Sequence, residues 1–344
     1  MTDGWTEKSL NSSFMLDNRD EYLKQIVKPT EYTSVQAADA PMEAARARSK
    51  GHPLAYACIF SGNSVAVVDL VEARKVMDIT VGLGPLGIDI NRHRNMAYVS
   101  NFSGNSISVI ELRNNVVIQT VKVGLQPAGV KTSRDGRYLY VVHYGEPAVY
   151  VLDAYSLQKV TEIPMPAPGF QIDITTDGLL AFVSLRNTAQ VAVIDLGVNL
   201  VVKALRAGAG TEDVKISPTN QLAFVTNEDG NSILPINIQL AEPASPTIAA
   251  AGGPVGLAYI QWGRTLYCAN RQDQSVSVLD VFSRVETAKI QVGNGPYGLA
   301  ASIDERLAAV TNSFEDTLSI IDTRTNRVYA TVNVGFAPAF LTIL

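Results

Sequence analysis

The chain has 344 residues, 47% of them hydrophobic and 18% charged, and carries a formal net charge of −5. An acidic balance with no long basic run excludes the electrostatic footprint of a nucleic-acid binder, and no stretch of about 18 apolar residues offers a membrane span. The two cysteines, Cys58 and Cys268, occupy equivalent strand positions in different repeats, so they read as small buried hydrophobes rather than a disulfide.

Residues 1–52 lie outside the repeat and form a polar N-terminal extension. Two short helices are predicted there, from Arg19 to Val27 and from Pro41 to Ser49, the second favoured by a proline at its first position. The extension is expected to act as a lid or a docking segment. Its start has no basic stretch leading into an apolar one, so a cytoplasmic location is expected, or export if a leader has been removed.

From Leu54 a unit of about 42 residues recurs seven times. Its clearest part leads from a small polar pair through alternating hydrophobics to an acid, as in NSVAVVDL from Asn63, NSISVIEL from Asn105 and QSVSVLDV from Gln274. The closing position falls at Asp69, Glu111, Asp153, Asp195, Asn237, Asp280 and Asp322, with one step of 43 among steps of 42. A period of about 40–45 residues made of short alternating segments predicts propeller blades, each a sheet that buries its faces only against its neighbours. The fold expected over residues 53–344 is therefore all-β, a seven-bladed β-propeller of four-stranded antiparallel blades. The final segment, FAPAFLTIL, matches the first strand of the other units, so the C-terminal strand should join the first blade and close the ring. In blade five, Pro235 inside the third strand predicts a bulge, and AEPASP from Ala241 loosens the outer strand. Gly82, Gly84 and Gly87 have the spacing of a dinucleotide loop, but a strand follows and the pattern returns at Gly293, Gly295 and Gly298, so it reads as the turn between blades.

The second strand of the unit reads YVSN at Tyr98, FVTN at Phe224, YCAN at Tyr267 and AVTN at Ala309. In these residues the chain resembles the YVTN-type β-propeller repeat family, over roughly residues 54–344. That family includes surface-layer-like proteins and is related to propellers of dehydrogenase subunits and lactonase-like enzymes. The resemblance implies the fold and leaves the chemistry open, because the same repeat serves scaffolds, binders and enzymes.

Function is expected in the funnel at the end of the central axis, where copies depart from the repeat. At the start of the inner strand most copies carry small or apolar residues, but blades four and five carry Phe170, Gln171, Glu212 and Asp213. Two residues on, Asp89, Lys131, Asp173 and Lys215 alternate in sign around four neighbouring blades, which predicts a ring of ion pairs lining a narrow channel. At the end of the second strand Asn is the usual residue, and His143 replaces it in blade three, followed by Tyr144. His143 reads either as a general base or as a histidine doing the asparagine's work of bonding loop backbone.

Two functions follow. One is a small-molecule site with non-redox catalysis of the lyase, cyclase, isomerase or lactone-hydrolase type, between blades three and six. Here His143, Glu212 and Asp213 would be catalytic, Arg186 and Arg271 would hold an anionic group, and Tyr144, Phe170, Gln171 and Tyr297 would complete the binding surface. The other is a protein-interaction scaffold without catalysis. No cofactor is expected and no metal ligands are assigned, although Glu212 and Asp213 could serve a hard divalent cation such as calcium. No residues have zinc spacing, and haem chemistry supplied by this chain alone is not expected. The expected partner is a small, anionic molecule, with neither nucleic acid nor membrane.

Overall fold

The structure is a computed structural model that describes residues 40–344. The predicted helix Arg19 to Val27 lies outside the described residues. The second is present as Ala40–Ser49 and packs on blade one, burying Ala44 and Ala47, with Glu43 paired to Arg74 of that blade's outer strand. Seven antiparallel sheets follow, and the described strands run from Leu54 to Ile343. The inner strand of blade one is the C-terminal Pro338–Ile343, which pairs with Leu54–Ile59 in the register Ala57 to Leu341. Backbone bonds between Leu54 and Leu344 in both directions finish the seam. The ring is closed, as the last segment predicts.

Each residue of the repeated signature has a task. The closing acid caps the turn to the outer strand: Asp69 Oδ1 accepts from the amides of Val71 and Glu72, and Asp280 Oδ1 from Phe282 and Ser283. The polar residue before the third strand adopts a left-handed backbone, which asparagine tolerates best among residues with a Cβ. Its side chain ties to the next blade, Asn63 Oδ1 accepting from Gly84 N–H at 2.9 Å and Asn231 Oδ1 from Gly253 N–H at 2.8 Å. The hydroxyl in the second strand joins inner strands. Thr226 accepts from Asp213 N–H at 2.9 Å and donates to the Val255 carbonyl of the next blade at 2.8 Å, and Thr311 repeats this with Gly298 and Ala339. Blade three has Val142 at that position, and Gly129 N–H reaches the Phe170 carbonyl directly at 2.7 Å.

The apolar residues of alternate positions fill the spaces between blades, as Val142, Val149 and Ile163 do with Ile172 and Val183. The outer strands are the exposed layer, with Val116–Lys122 largely open to solvent. Both cysteines are free and buried.

The bulge expected at Pro235 is absent: Phe224 faces Pro235 in unbroken register. The carbonyl of Pro235 accepts from Ala244, so its missing N–H faces the outer strand, and that strand is the one interrupted, into Glu242–Pro243 and Ile248–Ala249.

Thr311→Val removes the hydroxyl that links blade seven to the closing strand while keeping its shape. It leaves a buried amide and a buried carbonyl short of a partner, and should lower unfolding free energy by about 1–3 kcal/mol in denaturant melts with an unchanged m-value.

Candidate functional site

The loops between second and third strands surround one end of the axis, here the loop end; the turns between inner and second strands surround the other, the turn end. At the loop end the residue after the Asn position runs Phe60, Phe102, Tyr144, Arg186, Glu228, Arg271 and Ser313 around the ring. The first three form a chain of rings, with centroids 6.3 Å apart from Phe60 to Phe102 and 6.0 Å from Phe102 to Tyr144. The next three form an ionic arc: Arg186 Nη2 lies 2.9 Å from Glu228 Oε2, and Arg271 Nη1 lies 3.6 Å from Glu228 Oε1.

Residues at the start of the inner strands fill the space inside this arc. Glu212 is fully buried; its Oε2 pairs with Arg186 and its Oε1 accepts from the Tyr297 hydroxyl at 2.6 Å. Arg271 lies over the rings of Tyr297 and Phe314, at 4.9 and 5.0 Å. Phe170 packs on Tyr144 and on Phe340, and Phe340 packs on Tyr297. The structure thus brings together Glu212, Arg186, Arg271 and Tyr297 on one side, and Tyr144 and Phe170 on the other. Glu228 and Phe340 join them. Reading repeat columns across neighbouring blades finds both, Glu228 where Arg, Glu and Arg stand consecutively and Phe340 as the aromatic in a column mostly of glycine.

Burial pushes the Glu212 carboxyl above its ordinary value, outweighing the attraction of Arg186, and Glu228 adds repulsion. Asp229 Oδ2 also lies 3.9 Å from Arg186 Nη2, so two guanidinium groups face three carboxylates and a proton on Glu212 brings this cluster to neutrality.

His143 stands apart from that cluster. Its Nδ1 bonds the Ala148 carbonyl at 3.2 Å, its ring lies 4.3 Å from that of Tyr150 on the third strand, and it has no exposed surface. In blades two, six and seven the equivalent asparagines donate to two hydroxyls, as Asn270 does to Ser275 and Ser277. Blade three carries Ala148 and Tyr150 at those places, and the imidazole substitutes for the missing bonds. Burial lowers the proton affinity of His143. Its ring signals in NMR should therefore show no titration step at or above the ordinary histidine midpoint of about 6.5.

Glu212 and Asp213 diverge. Asp213 Oδ1 accepts from Val214 N–H at 2.8 Å and Oδ2 from Leu257 N–H of the next blade at 3.0 Å, with Lys215 Nζ at 3.9 Å. The two carboxylates therefore do not converge as ligands of one cation. Asp89 and Asp173 tie blades in the same way, Asp173 Oδ2 accepting from Ile216 N–H at 2.9 Å, and Lys131 bridges them at 3.5 and 3.2 Å. Of the expected alternating ring, the ion pairs of Asp89, Lys131 and Asp173 are present, whereas Lys215 lies against Asp213. Gln171 faces the axis beside them, above a cavity that reaches the turn end. His52, Asp69 and Glu72 form an acid–histidine cluster on blade one, but Lys50 and Arg74 already hold Glu72.

Ring and blades define a seven-bladed β-propeller, and its second-strand signature resembles the YVTN-type repeat. The YNCE-like β-propeller model matches residues 239–343, and the Cytochrome D1 heme domain model matches residues 94–173. No curated protein matches the chain. Among solved structures the chain is similar to Kuenenia stuttgartiensis hydrazine synthase at 22% identity and a TM-score of 0.71, over 77% of this chain and 90% of that one. A functionally unknown protein from Desulfotomaculum acetoxidans matches at 15% identity and a TM-score of 0.73, over 84% and 98%. Dihydro-heme d1 dehydrogenase NirN, in complex with DHE, matches at 16% and 0.64, over 81% of this chain and 63% of that one. These likenesses are of fold. Among the described residues no helix is long and apolar enough to cross a membrane.

The pH dependence of stability isolates Glu212. The folded protein binds this proton more tightly than the unfolded chain, so the resulting stabilisation is complete below the ordinary carboxyl range and lost as pH rises through the raised value. Between about pH 4.5 and 8, wild-type stability should fall relative to Glu212→Gln, whose amide cannot ionise, in paired thermal melts.

Proposed function

We propose that this propeller binds a small anionic molecule at the loop end of its axis and acts on it, without redox chemistry, as a lyase, cyclase, isomerase or lactone hydrolase. The observation that carries this reading is the buried Glu212, bonded to Tyr297 and Arg186 inside an Arg186–Glu228–Arg271 arc, at a position the other blades fill with Leu86, Ala128, Phe170, Val255, Tyr297 and Ala339. The scaffold does not require a carboxyl there. Glu212 would be the proton-handling group, its protonation would remove one carboxylate's hold on Arg186 so that the guanidinium groups can receive the anion, and Phe170, Tyr144 and Tyr297 would pack the apolar part. Asp213, tied to backbone amides, would hold the inner strands in place for this chemistry.

None of the three histidines suits the iron of the haem named in one matched model. An axial histidine must present a ring nitrogen to an open slot, whereas His143 has no exposed surface. His52 pairs with Asp69, and His93 Nε2 bonds the Arg134 carbonyl.

The test is thermal melting against a panel of small anionic metabolites at about pH 6 and 8. A ligand at a hundredfold its dissociation constant adds about 2.7 kcal/mol of stability. At least one compound should stabilise the wild type, more so at the lower pH, and lose its effect in Arg271→Gln. Absence of any shift, or a shift unchanged in the variant, would sink this reading.

A second reading, the protein-interaction scaffold, is favoured by one observation. Trp262 and Phe282, 85% and 74% exposed, flank a cleft of about 220 Å³ that Arg264 and Arg284 also line. Exposed Trp and Arg are the residues on which binding energy at protein interfaces concentrates.

A further inference from the structure

The axis of a propeller is filled by inner strands that approach one another closely. A Cβ at Gly129 would stand 2.7 Å from the Phe170 carbonyl oxygen, and one at Gly256 would stand 2.2 Å from that of Tyr297. Where this glycine column is broken by Gln171, Asp213 and Phe340, the strands enclose a cavity of about 330 Å³ that extends to Ser302 and Glu305 at the turn end. It is separate from the Glu212 cluster. Phe340, which lines the cavity, packs against Phe170 and Tyr297 toward the loop end.

The lining carries both signs of charge and spare donors. Asp89, Lys131, Asp213 and Lys215 all face it. The acids are held by backbone amides, and Lys131 is committed to Asp89 and Asp173. Lys215 is only loosely paired, 3.9 Å from Asp213, with a side chain 34% exposed. Gln171, 9% exposed, has a buried Nε2 without a hydrogen-bond partner, and the buried hydroxyl of Tyr259 also has none. Spare donors therefore come from blades four, five and six: an amide, an ammonium and a phenol. A carboxylate satisfies all three. The charged groups Asp89, Asp213, Lys131, Lys215 and Glu305 leave an excess of acid around the remainder of the cavity, so a bare anion would be repelled as well as attracted. A ligand that carries a cationic group beside its carboxylate answers both demands.

We propose that this axial cavity is a binding site for a small zwitterion of the amino-acid class, its carboxylate received by Lys215, Gln171 and Tyr259 and its ammonium turned toward Asp89, Asp213 and Glu305. The ligand adds no net charge to a site already crowded with charge, and it fills hydrogen-bonding capacity that the fold leaves unused. This site does not depend on the reading of the Glu212 cluster, because none of its proposed contacts belongs to that cluster.

Saturation-transfer NMR on the full chain tests it with alanine, propionate and ethylamine as probes, the second lacking alanine's ammonium group and the third its carboxylate. Alanine should give saturable transfer, and the other two should give none. Lys215→Met should weaken alanine binding at least about tenfold, as expected for a lost charge-assisted bond. Gln171→Leu, which fills the same space without a donor, should weaken it too; melting curves check that each variant is folded. Should one variant fail to fold, the other decides. No saturable signal from alanine, equal binding of propionate, or alanine binding indifferent to the substitutions would each overturn the proposal.

Discussion

Everything at the centre of this molecule depends on how closely seven inner strands approach one axis. In four blades a hydroxyl on the second strand, from Ser100, Ser184, Thr226 or Thr311, sets that approach, accepting from an inner-strand amide of its own blade and donating to a carbonyl of the next, as Ser184 does between Gln171 and Glu212. The geometry leaves room for little beyond glycine in the adjoining column, where a Cβ at Gly87 would meet the Ala128 carbonyl at 2.4 Å. A larger residue in that column forces the ring open locally. Gln171, Asp213 and Phe340 are such residues, and they line the cavity. The position of the cavity thus follows from a packing rule and three exceptions to it.

The loop end is divided by a single repeat position. Three consecutive blades present aromatic rings there and the next three present Arg186, Glu228 and Arg271. A propeller gives each blade two lateral neighbours, so residues alike in one column touch their counterparts, and alternation of sign becomes pairing in space. Burying four charges is costly unless each has partners. The arrangement meets that condition by adding the Tyr297 hydroxyl and the faces of Tyr297 and Phe314 to the ion pairs.

The architecture was legible because its determinants are local and repeated. The turn-capping acid at Asp69 and its copies, the left-handed Asn63 and its copies, and the final FAPAFLTIL segment fix blade number, register and closure before any long-range contact is considered. The ion pairs of Asp89, Lys131 and Asp173 were legible for the same reason, as neighbours in one column. The direction of single side chains was not. His143 stands in the column of asparagines that border the funnel, yet it turns to Tyr150 because the third strand of its blade lacks the hydroxyls its counterparts find. Glu212 and Asp213 are adjacent in sequence, yet one meets Arg186 and the other meets Leu257, since successive side chains of a strand part to opposite sides. Pro235 announced a disturbed strand, and the disturbance fell on its neighbour because the absent amide faced that way.

Closure by Pro338–Ile343 also has a consequence for how the chain comes into being. On a ribosome, strand Leu54–Ile59 emerges before the six other blades and its partner emerges after them, so blade one stays one strand short while they are made. Throughout that interval it presents an unpaired apolar edge, LAYACI, of the kind that recruits strands from other chains. The closed ring should accumulate in a single step once Pro338–Ile343 has emerged, and shielding of this edge by chaperones would then govern yield more than the stability of the finished ring.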